Sequence, residues 1–472
     1  MPASHNSLID DAPLSGFHKK LAVYSAGGPF LDGYALTIIG VALITMKPAL
    51  SLEGSELGLA AAAALIGIFF GGAVFGYVTD KVGRQVMYII DLVALVLVSV
   101  ASAFVTDAWQ LIALRFVLGV AIGADYPIAS SLLAEFVPSK HRGRLLGMLF
   151  VMFGAGAAAA AACGWALSHL GDDAWRYMLA SPAVFGLATL MLRLGTPESP
   201  RWLLSKGRFD DAEKVCKKVW GPDADTSSIV EEPTVTRYSA VFRGIYLRRV
   251  VFVGIFYAAH VIPLFAVYTF GPDILAELGI AESSTYAAEL IISALFLAGG
   301  IPGLLLVDRI GRRPLLIWTF VIMTVAFTFM ALASGAPAVV LFLALSIYAV
   351  TSGACNFIEI IYPNELFPTH VRATATGTVV AISRVGAATS TFLLPILLAS
   401  SGLSGVMWLM AVVNVAGLLV TVAFGEETKG RSLNETSGSL RAVGSPSDTS
   451  SSQSDDGVLP PHRTEDAAGT MR

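Results

Sequence analysis

The chain is built on a succession of apolar runs, each close to the roughly 20 residues a helix needs to cross a bilayer. Bounded by charge, Gly or Pro, they fall near 22–45, 58–79, 86–106, 109–134, 145–168, 175–195, 249–271, 285–307, 315–334, 338–362, 373–399 and 405–424. Inside hydrocarbon every backbone polar group must be bonded within the protein, so only helices or closed barrels span it. Barrel strands would read as alternating segments of about 10 residues, and these runs are too long for that. The sequence predicts an all-α membrane protein with twelve transmembrane helices. Composition agrees, with 55% apolar and 14% charged side chains among 472 residues and a mean hydropathy of +0.70. No room remains for a soluble catalytic domain, so an enzyme is not expected, and a net charge of −4 gives no reason to expect nucleic acid. The first 18 residues hold no Lys or Arg and no cleavable signal pattern, which leaves the first span as the expected targeting element. Cys163, Cys216 and Cys355 form no CxxC or Cys/His cluster, and neither disulfide, metal nor other cofactor is expected.

Lys and Arg near span ends are retained on the cytoplasmic side. Of 31 such residues, 27 lie in or beside the termini and even-numbered loops, Lys47 and Arg176 lie at odd-numbered loops, and Arg115 and Arg384 lie inside spans. Both termini are therefore expected in the cytoplasm, with the chain in a plasma (inner) membrane. The division that follows is a cytoplasmic N-terminus at 1–20, a six-helix half at 21–195, a cytoplasmic central loop at 196–248, a second six-helix half at 249–425 and a cytoplasmic tail at 426–472. In the central loop Phe209, Ala212, Val215 and Val219 recur at helical spacing among charges, the pattern of a helix lying on the inner membrane surface. The Ser/Asp/Gly-rich tail reads as disordered from about 433, and its sequon at Asn434 falls on the wrong side for glycosylation.

Three motifs recur in order. Asp80-Lys81-Val82-Gly83-Arg84 returns as Asp308-Arg309-Ile310-Gly311-Arg312, 228 residues on. Glu135 with Arg142 returns as Glu365 with Arg372, 230 residues on, and Glu198, followed by Arg201, matches Glu426 at 228. A near-constant offset marks a duplicated six-span unit. These boxes resemble those of the major facilitator superfamily, and Pro197-Glu198-Ser199-Pro200-Arg201 and Glu426-Glu427-Thr428-Lys429-Gly430 are similar to those of its sugar-porter-like branch. The resemblance covers about residues 20–430 and implies a rocker-switch transporter made of two six-helix pseudo-repeats. Physically, the acids and arginines at these span ends suit charge pairs and helix caps that close one face of the bundle. Asp80, Gly83, Arg84, Glu135, Arg142, Glu198, Arg201, Asp308, Gly311, Arg312, Glu365, Arg372 and Glu426 are thus expected to form a conformational latch that binds no substrate.

An ionisable group inside hydrocarbon is costly, so each one is a functional candidate. Asp32 lies about ten residues into span 1 and Arg115 in the outer half of span 4. Burial favours the neutral acid and an approaching guanidinium favours the carboxylate, so a moving arginine makes a reversible proton site. In proton-coupled sugar porters a span-1 Asp and a span-4 Arg do this work, and the resemblance carries that role to Asp32 and Arg115. Asp125 stands ten residues after Arg115, about 15 Å deeper on roughly the same face, and is expected as a second relay carboxylate. Its Gly123-Ala124-Asp125-Tyr126-Pro127 box is similar to the span-4 signature of phosphate:proton symporters, in which the Asp and Tyr line the central cavity. Asp91 and Glu289 read as pairing or interfacial residues near span ends. The small-residue run 154–164 reads as a packing surface.

Arg384, half-way along span 11, is a fixed cation suited to a carboxylate or phosphate ligand, with Glu359 as the alternative internal partner. Tyr34, Tyr126, Phe256, His260, Asn356, Glu359 and Arg384 are the candidate substrate residues. Span 7 contains no Gln of the kind hexose porters use on sugar hydroxyls, His260 or Ala259 stands where phosphate porters have an Asp, and Ala35 replaces the second Asp of the aromatic-acid porters' span-1 motif. The reading is a monomeric proton-coupled importer of a small organic anion. Phosphate:proton symport, sugar or polyol transport, drug export and a transporter-like sensor stay open as alternatives.

Overall fold

The computed structural model describes residues 13–222, 224, 226, 241–367 and 369–429, which form helices joined by short loops with no strand among them. Ten of the described helices are long and apolar enough to cross a membrane. Spans 1 to 5 are Gly16–Ala49, Gly54–Val82, Arg84–Ser102, Ala108–Phe136 and Ser139–Leu167. Span 6 is two short helices, Ala174–Ala180 and Pro182–Arg193, joined at Ser181. Spans 7, 8 and 9 are Gly244–Glu277, Glu282–Ile310 and Arg312–Leu332. Span 10 runs as Ala338–Asn356 and Ile358–Leu366. Spans 11 and 12 form one run, Thr369–Phe424, turned at Gly402, where φ is +62°. The twelve spans expected from hydropathy are thus present, the sixth and the last two hidden by breaks that a length criterion does not see.

The duplication is visible in packing. In the first half Gly119 of span 4 lies so close to span 2 that a Cβ there would sit 2.0 Å from the Ala64 carbonyl oxygen. In the second, a Cβ on Gly353 of span 10 would sit 2.0 Å from the Phe296 carbonyl oxygen of span 8. Bare backbone at both crossings allows this approach, the usual basis of tight helix pairs in a solvent that gives no hydrophobic drive. In the 154–164 run, Gly156 touches span 1 in the same way, against the Phe30 carbonyl.

One sequence expectation changes here. The helix Phe209–Trp220 turns Ala212, Cys216 and Val219 inward, and Trp220 stacks on Phe136 of span 4 at 5.7 Å. Its apolar face is therefore docked on the basic end of the bundle and not laid on lipid; only Phe209 stays exposed. On its outer face Arg208 and Lys214 bond Asp211, and these bonds hold its carboxyl below the usual carboxylate range. The tail from 430, its sequon and residues 227–240 of the central loop lie outside the described residues.

The two halves meet closely at the end of the bundle opposite the basic boxes. There a Cβ on Gly40 of span 1 would lie 2.5 Å from the Tyr268 carbonyl oxygen of span 7, and one on Gly58 of span 2 would lie 2.2 Å from that of Phe392 on span 11. Lys47 of span 1 forms an ion pair with Asp273 of span 7 across the same seam.

Candidate functional site

In the first half three carboxyl groups converge on one guanidinium. Asp32 of span 1, Asp91 of span 3 and Asp125 of span 4 line a single tight void, together with Gly28, Leu92 and Ala121. The cation is Arg193, the last residue of span 6, which is fully buried. Its Nη1 donates to Asp125 Oδ1 at 2.5 Å and lies 4.0 Å from Asp91 Oδ1. Nη1 and Nε also bond the carbonyls of Tyr88 and Tyr24, each at 3.3 Å, and the guanidinium lies 3.5 Å above the Tyr88 ring. A Cβ on Gly28 would fall 1.6 Å from Asp125 Oδ2, so the cluster fits only because span 1 has no side chain there. Oδ1 of Asp32 and Oδ2 of both Asp91 and Asp125 have no hydrogen-bond partner among the described residues.

This arrangement changes the expected pairing. Arg115 is buried, but its Nη1 donates to the Ala35 carbonyl at 2.9 Å, one turn along span 1 from Asp32. Asp32 instead shares its void with Asp91 and Asp125, the two carboxyl groups that meet Arg193. In this conformation the guanidinium that serves the carboxyl cluster is Arg193, because span 6 ends beside spans 3 and 4 and its long stem reaches inward. Asp91 is paired, as its charge suggested. Tyr34, a candidate substrate contact, is instead a packing residue of the first half: its ring meets Phe185 at 4.9 Å and its hydroxyl bonds that of Ser181 at 2.8 Å. The Tyr126 side chain lies outside the described residues.

In the second half His260 Nδ1 meets Glu359 Oε1 at 2.5 Å, while Nε2 meets the Ser352 hydroxyl at 2.7 Å and carbonyl at 3.0 Å. Both side chains are buried and satisfy each other, so here they form an internal pair and not a cavity wall. Phe256 is likewise core, against Phe252 at 5.3 Å and Tyr362 at 6.0 Å. Asn356 is half-buried where span 10 is interrupted at Phe357. Glu289 neither pairs nor reaches an interface, since both its oxygens are buried with no donor among the described residues.

Arg384 stands apart. Its guanidinium lies over the Phe265 ring at 5.1 Å, and its Nε and Nη1 are buried with no acceptor among the described residues. It opens on a cavity of about 300 Å³ between spans 2 and 11, lined also by Ile66, Phe69, Ala388 and Thr389. The alternative partner, Glu359, is taken by His260.

The charge boxes sit within each half. The Glu198 carboxylate accepts from the backbone N–H of Arg84 at 3.1 Å and Gln85 at 3.0 Å, capping the first turn of span 3. In the second half Glu427, not Glu426, does the same for Arg312 at 3.1 Å and Arg313 at 3.2 Å. The repeat partner of Glu198 is therefore Glu427, one residue later than sequence matching set it. Glu426 pairs with Arg249 at 2.8 Å. Gly83 and Gly311 have φ of +113° and +103°, and a Cβ on either would lie 2.6 Å from the capping carboxylate, which explains the glycine in both boxes. Arg312 forks onto Glu365 at 2.9 and 3.1 Å and meets Asp308 at 3.1 Å, and Arg201 is half-buried in the first turn of Pro200–Ser205. The side chains of Asp80, Glu135, Arg142 and Arg372 lie outside the described residues.

A family model described as "Sugar (and other) transporter" matches residues 21–439. The putative metabolite transport protein YaaU of Escherichia coli K12 is 40% identical over 430 residues, 91% of this chain and 96% of its own length. The inner membrane metabolite transport protein YgcS of the same strain is 36% identical over 421 residues, covering 89% and 94%. Among solved structures, a partially occluded inward-open conformation of the xylose transporter XylE from E. coli shares the fold with a TM-score of 0.77 at 23% identity, covering 89% of this chain and 100% of that one. These are membrane transporters, not enzymes, and the chain belongs to the sugar (and other) transporter family of the major facilitator superfamily.

Proposed function

We propose that the chain imports a small organic anion together with protons, by alternating access between its two halves, with the basic end and both termini in the cytoplasm. The observation that carries this reading is Arg384: a cation that cannot be discharged, two of its N–H groups without an acceptor among the described residues, beside a cavity of about 300 Å³ at the seam of the halves. That volume is at the lower end for small-metabolite sites, and an unanswered buried donor favours an anionic ligand. In this scheme coupling runs electrostatically between Arg384 and Asp32. An anion bound at Arg384 cancels a positive charge that otherwise favours the Asp32 carboxylate, so cargo and proton bind cooperatively, as symport requires. Arg193, Asp91 and Asp125 complete the proton site, Arg115 engages Asp32 in another state of the cycle, and the helix-capping boxes keep each half rigid as the halves rock. The chain acts as a monomer in this scheme.

A neutral sugar is the second reading, favoured by the family description and by the xylose transporter that shares the fold. Proteoliposomes offered small carboxylates, phosphate and pentoses separate the readings. Carboxylate uptake accompanied by external alkalinisation is expected, and Arg384→Gln should weaken it about 10- to 100-fold, the worth of one charged hydrogen-bond set. Uptake of pentose alone, unaffected by that substitution, would overturn the anion reading. Asp32→Asn should abolish accumulation yet leave counterflow.

A further inference from the structure

The second half holds a carboxyl group that the scheme above does not use. Glu289 of span 8 is 1% exposed, and neither of its oxygens meets a donor among the described residues. It faces span 7 where that helix breaks. Phe270 leaves the helical range at φ −117° and ψ 20°, Pro272 follows two residues on, and between them the Cβ position of Gly271 lies 2.2 Å from Glu289 Oε2. The carboxyl group thus fills the side-chain space that Gly271 leaves empty. The same break carries the contacts that seal the end of the bundle away from the basic boxes. The Tyr268 and Thr269 carbonyls lie against Gly40 of span 1, and Asp273 pairs with Lys47. Of the other titratable groups nearby, Tyr268 faces Glu289 from span 7, Tyr348 of span 10 lies beyond Tyr268 across the Phe296 ring, and Asp273 and Lys47 are engaged with each other.

A carboxylate in such a site, with no donor or counter-ion among the described residues, costs several kcal/mol, so the packed arrangement favours the neutral acid over the ion. Swinging the end of span 7 away from span 8 and span 1 would let water reach the group, where ionisation carries no such penalty. We propose that Glu289 is a proton-binding site of the second half, and that the outer end of the transporter closes only when this site is loaded. The sign follows from linkage: the closed form holds one more proton than the open one, so closure is favoured as the outer pH falls and opposed as it rises, by up to about tenfold per pH unit. The inference rests on the transporter reading and its orientation but not on the nature of the cargo, so its test is run without substrate.

Spin labels at Ser55→Cys and Ala276→Cys, exposed positions on spans 2 and 7 at this end, report the separation of the halves in full-length protein in nanodiscs between pH 5 and 8. The native cysteines are replaced in every variant. In otherwise unsubstituted protein the fraction at short distance is expected to fall as pH rises. In Glu289→Gln, and equally in Glu289→Leu should the first fail to fold, the short-distance fraction is expected to stay high and to lose at least half of its pH-dependent change. Gly271→Ala, which expels the carboxyl from its seat, should lower that fraction at every pH. A flat profile in the unsubstituted protein, or one in the Glu289 variants that keeps more than half of the change, overturns the proposal. Because no cargo is present, failure of the organic-anion reading leaves this result untouched, and the reverse holds too.

Discussion

Arg193 and Asp125 touch at 2.5 Å with neither group exposed, so their attraction is unscreened and removing either strands the other. Arg193→Met leaves three carboxyl groups around an apolar stem and is expected to cost about 3–5 kcal/mol of stability, the usual result of breaking a buried pair from one side. Melting in detergent measures it, and the double variant Arg193→Met with Asp125→Asn should recover more than half of the loss, since the carboxylate in direct contact with the guanidinium is then gone as well. A merely additive double variant would show that the pair is not the coupled unit the distances indicate. Legibility at this scale was uneven. That Asp32, Asp91, Asp125, His260, Glu289, Glu359 and Arg384 are buried charges or polar groups followed from their positions in apolar runs. Their partners did not, because Arg193 stands at a span end and is indistinguishable by charge count from a residue that merely holds a loop inside. The available signal was the imbalance itself, several acids in the first half needing a cation that Arg115 alone does not supply.

Whole helices are fixed at their ends by the duplicated boxes. Spans 3 and 9 begin with free backbone N–H groups and the positive end of a helix dipole, and one carboxylate answers both needs in each half. Glu427→Gln is expected to cost about 0.5–2 kcal/mol, in the range of lost N-caps, whereas Glu426→Gln should act through Arg249 and leave span 9 capped. Gly311→Ala combines a left-handed φ of +103° with a Cβ 2.6 Å from the capping carboxylate, and should cost about 1–3 kcal/mol from backbone strain alone. Thermal melts of the three variants, ranked against one another, check the assignment; Glu426→Gln proving the more damaging to span 9, by hydrogen exchange of its first turn, would reverse it. The spans and their order were readable because hydropathy has the period and length of the bilayer. The one-residue register between Glu426 and Glu427 was not, since two adjacent acids match Glu198 equally well until the geometry of the cap selects one. Docking of the Phe209–Trp220 helix was hidden for a similar reason: an apolar stripe does not say whether lipid or protein covers it.

At the scale of the whole molecule the ion pairs fall into two kinds with different consequences. Arg249–Glu426 and Arg312–Glu365 lie within one half, so in the proposed rocking cycle they move with it as a unit. Lys47–Asp273 joins the halves at one end, so in the proposed alternating-access cycle it must break when that end opens. Its side chains are 32% and 22% exposed, so solvent screens it and its worth is about 0.2–1 kcal/mol. That is small for stability but not for a conformational equilibrium, where about 1 kcal/mol shifts a population ratio about fivefold. Lys47→Ala should therefore raise the open-to-closed ratio of that end by up to about fivefold with almost no change in melting temperature. The exchanged pair Lys47→Asp with Asp273→Lys should restore the ratio, and raised salt should weaken it in the native pair but not in Lys47→Ala. Arg249→Ala makes the opposite pattern, lowering the melting temperature while leaving the distance between spans 2 and 7 unchanged, because the state-to-state difference that a transporter needs resides in contacts across the seam and not in those that build each half.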